Sequence, residues 1–72
     1  MVYLFIYTKH ALEKMDSYGL EKNEVQSVVT KGMKWKDEND KCHAQMAGIE
    51  VVFSKEENNF VIITVYLAGR LK

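Results

Sequence analysis

The sequence predicts an α+β fold of order β-α-α-β-β-β-β, with two N-terminal helices packed on one face of a curved, mainly antiparallel sheet. Three observations predict it. Apolar residues recur at helical spacing between Thr8 and Gly32, after one short aromatic and branched segment. The period then changes to two, as Met33 and Trp35 alternate with Lys34 and Lys36, and Cys42, Ala44 and Met46 with Lys41, His43 and Gln45. Finally, turn-forming stretches at Asp37 to Asp40, Ala47-Gly48 and Lys55 to Asn59 divide the second half into strand-length pieces. Helices followed by a run of strands give a segregated α+β arrangement.

Each element has a local reason. Val2 to Tyr7 is rich in aromatic and branched side chains and reads as a strand. Thr8 suits an N-cap, because its hydroxyl can accept a hydrogen bond from a first-turn N–H. Ala11, Leu12, Met15 and Tyr18 then form an apolar stripe, and Gly19 supplies a positive-φ stop. In the second helix, Glu21 is the N-cap and Glu24 the capping-box acid, while Leu20 and Val25 have hydrophobic-staple spacing. Val25, Val28 and Val29 form its buried stripe, Lys31 suits the negative end of the helix dipole, and Gly32 ends it. Ala47-Gly48 reads as a tight hairpin. Phe60 to Leu67 is the most continuous apolar run and reads as a central strand covered on both faces.

Composition bounds the rest. The chain has 72 residues with 10 basic and 10 acidic side chains, which predicts one small domain over residues 1–72. Such a chain leaves no room for a separate catalytic domain or a dinucleotide fold, and a net charge of +0 opposes broad electrostatic binding of nucleic acid. One cysteine, Cys42, excludes an internal disulfide, and no Cys-x-x-Cys pair suggests zinc; neither a metal nor a cofactor is expected. The apolar opening has neither the basic lead nor the cleavage site of a signal peptide, and no run has the length of a membrane helix. A cytoplasmic protein without a membrane partner is the expectation.

Several residues could carry chemistry. His10, Glu13, Lys14 and Ser17 share one polar helix face, with His10 and Lys14 on its edge nearest Ala11 and Tyr18. An imidazole and an ammonium one turn apart at a groove rim suit phosphate chemistry, since one moves a proton near neutral pH and the other offsets phosphoryl charge. The same spacing is that of a solvated helix edge. Lys41, His43 and Gln45 project from one strand face as a short RNA-facing row, or simply as an exposed sheet face. Thr64 and Tyr66 interrupt the last apolar strand two residues apart, and their hydroxyls need partners. They either border the cleft that holds His10 or are satisfied locally. Trp35, Phe53 and Phe60 read as core, and Cys42 as an inert buried thiol.

The motifs Thr8-Lys9-His10-Ala11-Leu12-Glu13-Lys14-Met15, Tyr18-Gly19-Leu20-Glu21-Lys22-Asn23-Glu24-Val25, Lys31-Gly32, Gly48-Ile49-Glu50-Val51-Val52 and Val61-Ile62-Ile63-Thr64-Val65-Tyr66 resemble domain-of-unknown-function family 4258. That family is similar to the barnase–EndoU–colicin–RelE group of small RNases and toxins. The resemblance implies an α+β fold and metal-independent RNA cleavage by a toxin-like endoribonuclease. His10 matches the family histidine, Thr64 and Tyr66 the terminal strand pair, and Lys14 stands where the family usually has arginine. Lysine keeps the charge but loses the bidentate fork.

In this reading His10 removes the ribose 2′-OH proton, and Lys14, with Arg70, stabilises phosphoryl charge. Tyr66 or His43 serves the leaving oxygen, and Thr64 orients His10 or a phosphate. Lys41, His43 and Arg70 are the expected substrate-binding residues. RNA, a cognate antitoxin and a second copy of the chain are the expected partners. The alternatives are a non-catalytic protein-interaction module and an inactive relative of the RNase toxins.

Overall fold

The computed structural model describes residues 4–67. Its elements are β1 (Leu4–Tyr7), α1 (Lys9–Tyr18), α2 (Lys22–Lys31), β2 (Met33–Lys36), β3 (Cys42–Met46), β4 (Ile49–Glu56) and β5 (Asn59–Tyr66). This is the predicted order. The first strand was expected from Val2, which lies outside the described residues, as does Arg70.

The local devices form as their chemistry dictates. The Thr8 hydroxyl accepts from the Ala11 N–H at 3.1 Å, Gly19 adopts φ 70°, and the Glu24 carboxylate accepts from the Glu21 N–H at 2.8 Å. Ala47 and Gly48 both take positive φ, 55° and 79°, the requirement of the tight turn that joins β3 to β4.

The five strands form one sheet in the order β1-β5-β4-β3-β2, antiparallel except for the parallel β1–β5 pair. β4 is therefore the central strand. β5, expected at the centre, lies one place outward, and the parallel addition of β1 beyond it keeps it from being an edge strand. Nor is β5 covered by helices on both faces. Ala11 and Met15 of α1 and Val25, Val28 and Val29 of α2 pack with Ala44, Val51, Phe53, Ile62 and Val65 in one core. Side chains alternate along a strand, so His43, Gln45, Glu50, Val52, Thr64 and Tyr66 occupy the sheet face away from the helices.

Trp35 corrects a core expectation. It pairs with His43, and Met33 with Gln45, so β2 turns these two side chains to the helix-free face. Trp35 is 39% and Met33 71% exposed. Alternation identified the two-residue period correctly but not which phase faced the helices. α2 reaches β3 and β4, and β2 lies beyond them as the sheet edge. Cys42 faces the core side but is half-buried, not sealed within it.

Candidate functional site

The site begins at the seam between α1 and β5. The β4–β5 register breaks there, between Val52 and Phe53: Val52 pairs with Thr64, but Phe53 pairs with Ile62, which leaves Ile63 as the extra residue of a bulge. Thr8 docks there. Its hydroxyl lies 3.0 Å from the Ile62 carbonyl oxygen and 3.1 Å from that of Ile63, and its own N–H donates to Ile62 at 3.2 Å. One threonine thus caps α1 and fixes the start of that helix on the strand just ahead of Thr64.

From this anchor the two sides of α1 diverge. Leu12, Met15 and Asp16 line a hollow shared with α2 residues. His10 and Lys14 are about 200° and 160° from Leu12 around the helix, on the side turned away from α2. His10 is exposed. The Lys14 ammonium lies 5.5 Å from the centre of the Tyr18 ring, a cation–π distance that holds it along the helix surface. Thr64 and Tyr66 also face away from α2, on the outer side of β5. No hydrogen bond or ring contact joins His10 to either of them among the described residues.

Thr64 is the anomaly on that outer face. It is 7% exposed, and its hydroxyl oxygen has no hydrogen-bond partner. An unsatisfied buried hydroxyl costs about 1–3 kcal/mol. Thr64→Val keeps the shape and removes the orphaned group, so it should stabilise the fold by about 1 kcal/mol and raise the melting temperature by about 4–8 °C. Thermal melts of both proteins measure this; an unchanged or lower melting temperature would mean the hydroxyl is satisfied in solution.

Across the same face, sequence reasoning underestimated His43. The residue does not stand in an open row of RNA donors. Its Nε2 lies 2.8 Å from Asp37 Oδ2 and its Nδ1 2.9 Å from Glu50 Oε2. Trp35 stacks on the imidazole, with ring centres 5.2 Å apart and planes 12° from parallel. Two carboxylates can only accept, so both ring nitrogens must donate, and the clamp calls for an imidazolium. The Asp37 hydrogen bond is the main cause of the raised His43 pKa; partial burial opposes it, and Glu50 adds to it. The same bond holds the Asp37 carboxyl below its usual value, with help from the Lys41 and Asn39 N–H groups. Lys41 is exposed at the end of this turn.

The clamp gives stability a pH window. His43 has a raised folded pKa, so its contribution is complete below the ordinary histidine value of 6.5 and fades as pH rises through the raised one. Asp37 has a lowered folded pKa, so its contribution is complete above 3.8 and fades as pH falls through the lowered value. The clamp is therefore fully formed between 3.8 and 6.5. Melting temperature should decline from pH 6 towards pH 9, and His43→Gln should flatten that decline. Parallel profiles for the two proteins would show that His43 does not set the slope.

A signal for part of this clamp existed in the sequence. The two-residue turn at Ala47-Gly48 pairs Met46 with Ile49, hence Gln45 with Glu50 and His43 with Val52. Glu50 is then the diagonal neighbour of His43, within reach of a long side chain. Asp37 was not legible in this way, because its approach depends on the conformation of the β2–β3 turn.

No group of three or more histidine, cysteine or acidic residues could hold a metal ion among the described residues. No helix among them is long and apolar enough to cross a membrane. Fold and site define a small α+β domain with two helices on one side of a five-stranded mixed sheet and a polar cluster on the other. The chain belongs to the family described as Domain of unknown function (DUF4258), whose model matches residues 7–67. No curated protein and no solved structure matches it.

Proposed function

We propose that this domain acts on RNA as a toxin-like, metal-independent endoribonuclease, with His10, Lys14, Thr64 and Tyr66 as its working residues. The observation that carries this reading is the orphaned, buried Thr64 hydroxyl beside the seam where Thr8 fixes α1 on β5. A buried hydroxyl without a partner can bond a polar group that a local opening brings against it. His10 is two residues beyond Thr8, and Thr64 two residues beyond Ile62, to which Thr8 is bound. His10 and Lys14 project from α1 on the helix side of the sheet, and Thr64 and Tyr66 from β5 on its other face, so the seam at Thr8 is where the two pairs come nearest along the chain.

In the reaction, His10 accepts the ribose 2′-OH proton as that oxygen attacks the adjacent phosphorus. A 2′-oxygen–phosphorus bond forms, the bond to the 5′-oxygen breaks, and a 2′,3′-cyclic phosphate results. Lys14 offsets the added charge on the phosphoryl oxygens. Tyr66, exposed at the end of β5, serves the leaving oxygen. His43 suits that task poorly, since both of its ring nitrogens are engaged by carboxylates. Its role is to hold the Asp37 turn against β4. Incubation of the purified chain with structured and single-stranded RNA in EDTA tests the proposal. Cyclic-phosphate ends are expected, and intact RNA at high protein concentration would remove the catalytic claim.

A second reading rests on a separate observation. Leu4, Ile6, Met33, Trp35 and Tyr66 are exposed and share the helix-free side of the sheet, with Leu4 at 64%. Apolar surface of this kind suits a protein interaction, with a second copy or an antitoxin-like partner. Intact RNA, together with an imidazole signal from His10 that RNA leaves unmoved, favours this module over the nuclease.

A further inference from the structure

The sheet has two outer edges, β1 and β2, and they differ in chemistry. β2 carries Lys34 and Lys36, and charged side chains of this kind keep an edge strand from pairing with another chain. β1 reads Leu4-Phe5-Ile6-Tyr7, with no charge, no proline and an unbroken register against β5. Leu4 is 64% and Ile6 44% exposed. None of the usual devices blunts this edge.

The main chain of β1 is open on its outer side. The Leu4 N–H donates to the Asn58 carbonyl and the Thr8 N–H to that of Ile62, so Leu4, Ile6 and Thr8 turn their main-chain groups towards β5. Alternation then points the N–H and carbonyl of Phe5 and Tyr7 outward. The helices lie elsewhere: α1 packs on β5, and α2 on β3 and β4. α2 reaches β1 through Gln26 and Lys22, which meet the side chain of Tyr7 and not its main chain.

We propose that β1 pairs antiparallel with β1 of a second copy of this chain, which joins the two sheets into one. A two-fold axis at Ile6 sets Ile6 against itself and Phe5 of one copy against Tyr7 of the other. Each Phe5–Tyr7 pair then exchanges both of its N–H···O bonds, so the outward main-chain groups of both residues are used. Their rings become cross-strand neighbours on the helix side. On the other face the two Ile6 side chains meet, and Leu4 of each copy stands diagonal to Ile6 of the other. Charge selects this occupant. No ionised side chain lies on β1, so self-pairing opposes no like charges, whereas β2 against β2 would bring lysines together. Pairing of β1 with β2 of another copy would leave a free edge at each end, while the two-fold contact closes at two copies. The contact is small and belongs to the weak class of associations. It rests on the interaction reading for the exposure of Leu4 and Ile6, names the partner and the contact within it, and does not depend on RNA cleavage.

Analytical ultracentrifugation of the full chain at concentrations from about 10 μM to about 1 mM tests the association, and a reversible dimer is expected within that range. Ile6→Lys sets two ammonium groups at the axis and should weaken the dimer at least about tenfold. Trp35→Lys, at the far edge of the sheet, should leave it unchanged. Disulfide trapping in a Cys42→Ala background tests the register. Ile6→Cys places its two α-carbons about 4.5 Å apart, within disulfide reach, and should give a covalent dimer on oxidation. The two Leu4 positions lie roughly 14 Å apart, so Leu4→Cys should not be trapped. The proposal is overturned if the chain is monomeric at about 1 mM, if Ile6→Lys leaves the dimer intact, or if Leu4→Cys is trapped as readily as Ile6→Cys. A dimer that Trp35→Lys dissolves and Ile6→Lys does not would keep the interaction reading and defeat β1 pairing alone. A monomeric chain that cleaves RNA would defeat both and leave the nuclease.

Discussion

His10→Ala is expected to reduce RNA cleavage at least about a hundredfold while leaving the melting temperature within about 1–2 °C of the parent. The separation of the two effects follows from the position of the residue. His10 is exposed at the start of α1 and makes no hydrogen bond or ion pair among the described residues, so its removal leaves no buried group unsatisfied. Lost cleavage with an unchanged fold would then report proton transfer. Lys14 offers an independent check. Lys14→Ala should lower cleavage by weakening phosphate stabilisation, and Lys14→Arg should retain or raise it, because a guanidinium restores the bidentate fork. Equal cleavage by His10→Ala and the parent would show that His10 does not carry the reaction.

Gly32→Ala is expected to cost about 3 kcal/mol, equivalent to a fall of roughly 12–24 °C in melting temperature. The cause is space, not backbone conformation. Gly32 has φ −76°, an angle open to any residue. A β-carbon there would lie 2.6 Å from the Val28 carbonyl oxygen and 2.7 Å from that of Gln45. Both atoms are backbone, one in α2 and the other in β3, so relief requires the helix end and the strand to separate. Gly19→Ala is the control. It meets nothing within 4 Å but must hold φ 70°, so it should cost only about 1–2 kcal/mol. Denaturant melts of the two variants distinguish the mechanisms. Similar losses at both sites would show that close packing at Gly32 is not the larger effect.

Gly32 also shows where sequence reasoning reached its boundary. A glycine after the last apolar position of a helix reads as a stop, and α2 does stop there. The same letter says nothing of β3 passing against it. Trp35 is a similar case, since period-two alternation is symmetric between the two faces of a sheet. Only the β2–β3 register, which sets Lys34 beside Ala44 and Trp35 beside His43, decides that Trp35 lies on the helix-free face. For the candidate site, the His43–Glu50 diagonal was recoverable from hairpin register alone. The orphaned Thr64 hydroxyl was not, because satisfaction of a buried group depends on every neighbour at once.

The sequence by itself determined the elements and their order. Capping by Thr8 and Glu24, the stop at Gly19, the turn at Ala47-Gly48 and the apolar periods all act within a few residues, where chain connectivity fixes the geometry. Tertiary structure decided the rest: the parallel addition of β1 that makes β5 an interior strand, the bulge at Ile63, the clamp on His43 and the close passage of β3 against Gly32. Each depends on side chains from distant segments meeting in space. Such meetings are selected by the packing of the whole core, and the local pattern of residues does not encode them.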